Sequence, residues 1–286
     1  MSEAIMPAAF LGHGSPMNAL EHNRYTDAWR AFGASVPRPR AILMVSAHWY
    51  VNTTVVTAMP RPRTIHDFVG FPQPLFDVQY PAPGLPTLCE EVADVARPDR
   101  VGADLDSWGL DHGTWSVLLH AFPGADIPVV QLSINARQPA GYHLALGARL
   151  AELRKQGVLI MGSGNIVHNL RAIDWAQPDG AFGWAERFDE RVRRLMQDHP
   201  GDAASLMQDA DFLQVAPTPE HFIPVLYIAG LAAASGMPAN VLIDGYAYGS
   251  LSMTTYTLGC TIHQQGHASE GAASITTTTA PEDANI

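Results

Sequence analysis

The stretch Val158-Leu-Ile-Met-Gly-Ser-Gly-Asn-Ile-Val-His168 decides the fold. An apolar run bounded by turn residues reads as a short strand buried on both faces. Gly-Ser-Gly then predicts a sharp turn into a helix, with a histidine just past it. The same arrangement occurs in Phe10-Leu-Gly-His-Gly-Ser-Pro16 and in Ile42-Leu-Met-Val-Ser-Ala-His-Trp49. Outward from these strands, helical periodicity is read over residues 23–32, 85–96, 140–155 and 221–235, and in the apolar run after Asp111. Further strands are read at 51–58, 128–133, 239–244 and 249–258. Strands alternating with helices predict an α/β fold: a single domain with a central, mostly parallel or mixed sheet flanked by helices. In such sheets ligands gather outside the carboxyl ends of the strands, where His13, His48 and His168 fall.

A chain of 286 residues, 47% hydrophobic, can build a large core without disulfides. Cys89 and Cys260 lie far apart in no CxxC pattern and read as free thiols of a reducing compartment. A net charge of -11 argues against nucleic acid as a partner, because phosphate contacts need a basic patch. There is no apolar stretch of membrane-spanning length, and Met1-Ser-Glu-Ala-Ile lacks the features of a secretory signal, so a cytoplasmic location is expected. Residues 59–86 are dense in proline and aromatics, which predicts an ordered functional loop without regular helix. Residues 181–213 read as charged helix. One domain is expected over 1–265, followed by a Ser/Thr/Ala-rich tail, 266–286, that lacks the apolar content to fold.

Imidazole is the commonest transition-metal ligand near neutral pH, which makes the turn histidines metal candidates. The small residues around His13 allow close approach of a metal or substrate. His48 beside Trp49 also fits a packed core histidine. The turn before His168 is short of a full phosphate-binding motif. His221, in Pro217-Thr-Pro-Glu-His-Phe222, has Glu220 beside it and two prolines that stiffen its approach. His112, between Asp111 and Gly113, suits an acid/base, or equally a helix start capped by Asp111. GxSxG and HExxH are both absent, which removes the serine-hydrolase elbow and the zincin motif.

Seven segments, in order along nearly the whole chain, resemble the class III extradiol ring-cleaving dioxygenases, and within them the 4,5-DOPA type. They are Gly12-His-Gly-Ser-Pro-Met17, Ser46-Ala-His-Trp49, His66-Asp-Phe-Val-Gly-Phe-Pro72 with Tyr80-Pro-Ala-Pro-Gly84, Gly109-Leu-Asp-His-Gly-Thr-Trp115, Gly162-Ser-Gly-Asn-Ile-Val-His-Asn169, Pro217-Thr-Pro-Glu-His-Phe222 and Ser250-Leu-Ser-Met253. The resemblance implies one mononuclear metal, with His13, His48, His168 and His221 at positions assigned to metal. His112 and His168 fall at acid/base positions, and either Glu220 or His221 supplies the third ligand. It implies Fe(II) for activity, with Zn(II) as another metal the site would bind, and a small catechol plus O2 as substrates. L-DOPA cut at 4,5 would give a seco product that cyclises to betalamic acid. His66, Phe71, Tyr246 and Ser252 are the expected substrate contacts. The rival readings are a zinc protein of the same fold with hydrolytic chemistry, and a non-catalytic interaction module.

Overall fold

Period-two alternation runs through strands that are buried on both faces, and this sets the architecture. In the computed structural model, residues 5–262, 271–272, 275 and 280–286 are described. The strands are β1 (Ala8–Gly12), β2 (Ala41–Val51), β3 (Val55–Thr57), β4 (Gly102–Asp104), β5 (Val129–Asn135), β6 (Val158–Gly164), β7 (Asn240–Ile243), β8 (Tyr246–Ala247), β9 (Leu251–Ser252) and β10 (Thr255–Leu258). One eight-stranded sheet has the order β4-β3-β5-β2-β6-β1-β10-β7, and β8 pairs with β9 separately. The centre, β5-β2-β6-β1, is parallel. The joins of β3 to β5, β1 to β10 and β10 to β7 are antiparallel, so the sheet is mixed as expected.

Phe10, Leu43, Val130 and Ile160 face one hydrophobic cluster; their chain neighbours Leu11, Met44, Val129 and Met161 face the other. Each fully buried side chain of this kind contributes about 1.5–3 kcal/mol. The helices are α1 (Arg24–Ser35), α2 (Gln73–Phe76), α3 (Pro86–Val95), α4 (His112–Ala121), α5 (Ala140–Lys155), α6 (Gly183–Asp198), α7 (Phe212–Val215) and α8 (Ile223–Ser235). Helix α8 is apolar on every side and buried over Ile223–Ala232, as a helix without a polar face must be. Asn23 caps α1 in a reciprocal capping box with Thr26.

Three expectations need correction. Gly162-Ser-Gly164 does not turn the chain into a helix, because β6 runs through Gly164. An added Cβ at Gly164 would overlap the His221 carbonyl oxygen, and at Gly162 it would stand 2.8 Å from the Pro224 carbonyl oxygen. These glycines therefore serve the close approach of the chain entering α8. Strand β2 does not stop short of His48; it continues to Val51, with a break in register between Val45 and Tyr50. Finally, the proline-rich loop does hold one short helix, α2.

Within the tail expected to stay unfolded, residues 266–270, 273–274 and 276–279 lie outside the described residues. Its described end departs from that expectation. Pro281–Asp283 form a 3-10 turn, Ala284 and Ile286 are buried, and Val69 N–H donates to the Ala284 carbonyl at 3.2 Å.

Candidate metal centre

Strands β2, β6 and β1 lie side by side in parallel, so their carboxyl ends open on one crevice. His13 follows β1; its N–H donates to the Gly164 carbonyl at 3.1 Å, and its own carbonyl accepts from Asn18 Nδ2 at 2.9 Å. His48 sits in the register break of β2, where an irregular strand re-aims a side chain. His112 opens α4 behind its N-cap Asp111, whose Oδ1 accepts from Thr114 N–H and Ser46 Oγ. Burial, then the charge of Asp67, raises the Asp111 carboxyl to about 6. His168 is held by its N–H to the Val215 carbonyl, and His221 by Asn165 N–H to its carbonyl at 2.9 Å.

All five rings meet. Ring centres are 5.1 Å apart for His13 and His48, 3.8 Å for His48 and His112, 5.4 Å for His13 and His221, and 3.5 Å for His168 and His221. Burial, reinforced by the neighbouring histidines, holds His13 and His48 well below the ordinary imidazole value, so both are neutral.

Hydrogen bonds place the protons. Ser163 Oγ donates to the Gly113 carbonyl at 2.6 Å and must therefore accept from His13 Nδ1, 2.9 Å away. Glu220 Oε1 accepts from His221 Nδ1 at 3.1 Å. Burial opposes ionisation of Glu220, but His221 and Thr218 outweigh it and hold the carboxyl at about 2. Asp67 Oδ2 lies 3.4 Å from His48 Nδ1. With Nδ1 protonated in His13 and His221, their Nε2 lone pairs are left for the crevice, and the Nε2 of His48 faces that of His13. The Nε2 atoms of His13 and His48 are 3.1 Å apart, and His221 Nε2 is buried with no protein partner.

Bare lone pairs at that range repel each other unless they share a cation. Two imidazole nitrogens about 2.1 Å from one ion, at nearly a right angle, stand about 3 Å apart. The donor set therefore fits a transition metal. Grouped by reach, His13, His48 and His112 form one cluster, and His168, Glu220 and His221 another.

His168 differs from the other expected ligands. Its ring lies flat on His221, with 3° between the planes. The in-plane lone pairs of the two rings therefore lie in separate parallel layers, while one nitrogen of each and a Glu220 oxygen fall within 4.8 Å of one another. A cleft of about 340 Å³ opens beside them, lined by His168, His221, Glu220, Asn169, Arg171 and Thr218 together with the docked residues Asn285 and Ile286. The buried Nε2 of His112 also lacks a protein partner.

The expected substrate residues separate from one another. His66 joins an aromatic group with Phe68, Phe76 and Trp115, and its Nε2 donates to the Val78 carbonyl at 2.9 Å. Phe71 packs behind Phe68, and it is Phe68 that meets the His112 ring, edge-on at 5.5 Å. Ser252 is buried with its hydroxyl on Asp189 Oδ2 at 2.7 Å, and the charge of the same carboxylate, after burial, pushes the Tyr246 hydroxyl up. The Ser252 hydroxyl thus braces α6. The sequence reading missed Asp67, Phe68 and Ser163. The first two lie inside the quoted segment His66–Pro72, yet nothing local to that segment points to His48 or His112.

The family described as the catalytic LigB subunit of aromatic ring-opening dioxygenase matches residues 8–259. The chain is 46% identical over 263 residues to the 4,5-DOPA dioxygenase extradiol of Escherichia coli (strain K12), covering 91% of this chain and 97% of that protein. With the protein of the same name from Beta vulgaris the identity is 33% over 261 residues, covering 88% and 96%. A crystal structure of an uncharacterized protein from Escherichia coli K12 superposes with a TM-score of 0.77 at 41% identity, covering 88% of this chain and 99% of that one.

Proposed function

The chain belongs to the family of the catalytic LigB subunit of aromatic ring-opening dioxygenases, and from that premise we propose that this extradiol dioxygenase cleaves L-DOPA at the 4,5 bond with a ferrous ion held by His13, His48 and His221. What supports the ligand set is the 3.1 Å approach of His13 Nε2 and His48 Nε2 together with the buried, unpartnered Nε2 of His221, whose ring centre lies 5.4 Å from that of His13 and 5.0 Å from that of His48. The substrate follows the names of the Escherichia coli and Beta vulgaris relatives. A ferrous ion with three protein ligands would supply open positions for a catecholate and O2.

The remaining work falls to the chain's own groups. His112 Nε2 is buried without a protein partner and accepts the proton of one catechol hydroxyl. His168, neutral because burial and then His221 lower its affinity for a proton, takes up the proton of the other catechol hydroxyl and returns it during ring opening. Phe68 packs against His112 and fixes the wall on which the catechol ring lies. Both oxygen atoms of O2 enter the opened ring, giving 4,5-seco-DOPA, which closes to betalamic acid.

The test is to load the anaerobically purified protein with Fe(II), add L-DOPA in air, and record the visible spectrum with O2 uptake. A new yellow absorbance with matching O2 consumption is expected. Turnover of other catechols but not L-DOPA would overturn the substrate and keep ring cleavage. Iron-loaded protein that turns over no catechol would overturn the whole reading and favour a zinc protein of this fold.

A further inference from the structure

We propose that Asp67 is the shared positioning residue of this centre: it keeps the protons of His48 and His112 on Nδ1, so that both Nε2 lone pairs face the crevice. This deepens the proposed ligand and acid/base roles and rests on that reading.

The loop carrying Asp67 is pinned where it approaches the histidines. Ile65 N–H donates to the Leu110 carbonyl at 2.7 Å, and Trp115 Nε1 donates to the Ile65 carbonyl at 2.8 Å. Asp67 Oδ1 accepts the backbone N–H of His112 at 2.9 Å and lies 3.0 Å from its Nδ1. Its other oxygen, Oδ2, lies 3.4 Å from His48 Nδ1; both ring contacts are close approaches of charge and not aligned hydrogen bonds, since Oδ2 and His112 Nδ1 have no hydrogen-bond partner among the described residues. One buried carboxylate thus stands behind two rings.

A carboxylate can only accept. A neutral imidazole that turns a bare Nδ1 toward it sets lone pair against negative charge; one that turns an N–H toward it is attracted. This choice matters most at His48, which has an alternative: with its proton on Nε2 it could donate to His13 Nε2, 3.1 Å away. That bond would consume the two lone pairs that a metal needs. Asp67 tips the balance away from it, and through Oδ1 does the same for His112.

The proposal predicts that Asp67→Asn acts before any substrate is present, because an amide N–H facing Nδ1 favours the opposite tautomer. Long-range proton–nitrogen NMR of the metal-free full chain, labelled at histidine with nitrogen-15, reads each ring directly. His48 and His112 are expected with the proton on Nδ1 in the wild type, and His48 with it on Nε2 in Asp67→Asn. Titration with Co(II) alone, followed by its visible absorption, should show affinity about 10–100-fold weaker in Asp67→Asn. Asp67→Glu keeps the charge and should restore the Nδ1 proton and part of the affinity.

Unchanged tautomers in Asp67→Asn would overturn the proposal, even with weaker Co(II) binding, because the residue would then act only through its charge. Thermal melting guards against a folding defect, and the glutamate variant provides the comparison if the amide variant is unstable. Neither readout involves a catechol, so failure of ring cleavage would strike the proposed function and leave this assignment standing.

Discussion

A neutral imidazole offers one lone pair, and its partner on the far nitrogen decides where that lone pair points. His13, His48, His112, His168 and His221 were legible in the sequence because each sits in or beside a turn or break of small residues or proline. Their partners were legible only where they are chain neighbours. Glu220 adjoins His221, but Ser163 lies 150 positions from His13. Replacing Ser163 with Ala leaves the His13 Nδ1–H buried without an acceptor, which costs about 1–3 kcal/mol. A lower melting temperature together with weaker metal binding is the expected result; an unchanged variant would remove Ser163 from the site. His168→Ala should lower turnover by about 10²–10⁴-fold while metal content stays near wild type. Metal analysis beside O2 uptake separates this from a ligand role, in which metal and turnover would fall together.

The outlines of the elements could be read from periodicity, but their joints could not. Helix α5 matches the expected residues 140–155 from end to end. The glycines of β6 were read as a turn, since sequence alone cannot separate a glycine that bends the chain from one that admits another backbone. Tyr246 and Ser252 were expected at the substrate because they fall in the C-terminal region, 246–253, that the resemblance sets beside it. The pairing of β8 with β9 sets the two residues opposite each other, and the Ser252 hydroxyl goes to Asp189 instead. Helix α4 is where tolerance is least. A Cβ at Gly113 would stand 2.5 Å from Ser46 Oγ and 2.8 Å from His48 Cδ2. Gly113→Ala should therefore displace the His48 ring and weaken metal binding more than it lowers the melting temperature. Loss of stability with unchanged metal affinity would show that the strand yields and the ring does not.

For the whole molecule, the sheet order follows from apolar strands that alternate with helices, which is why the fold class was accessible before any coordinates. Histidines are a large part of its polar interior, and this sets the response to acid. Burial lowers His120 and His143 to about 4 from the ordinary 6.5. Above pH 6.5 these groups are neutral in both folded and unfolded chains and contribute nothing to the pH dependence. Below it the unfolded chain binds protons that the fold refuses, so stability falls from about pH 6.5 down to about 4. Calorimetry across that window should show the melting temperature dropping with pH, and a flat profile would contradict the neutral buried state.

The register break in β2 has a consequence for motion. Strand β2 lies between β5 and β6 in the middle of the sheet, so its ends should be among the slowest backbone amides to trade hydrogen for deuterium. At Ala47, His48 and Trp49 the ladder to β5 is interrupted. These amides should exchange faster than those of Val45 and Tyr50, and should slow when an ion ties His48 to His13 and His221. The stiffest strand of the protein would then carry a soft spot that its metal closes.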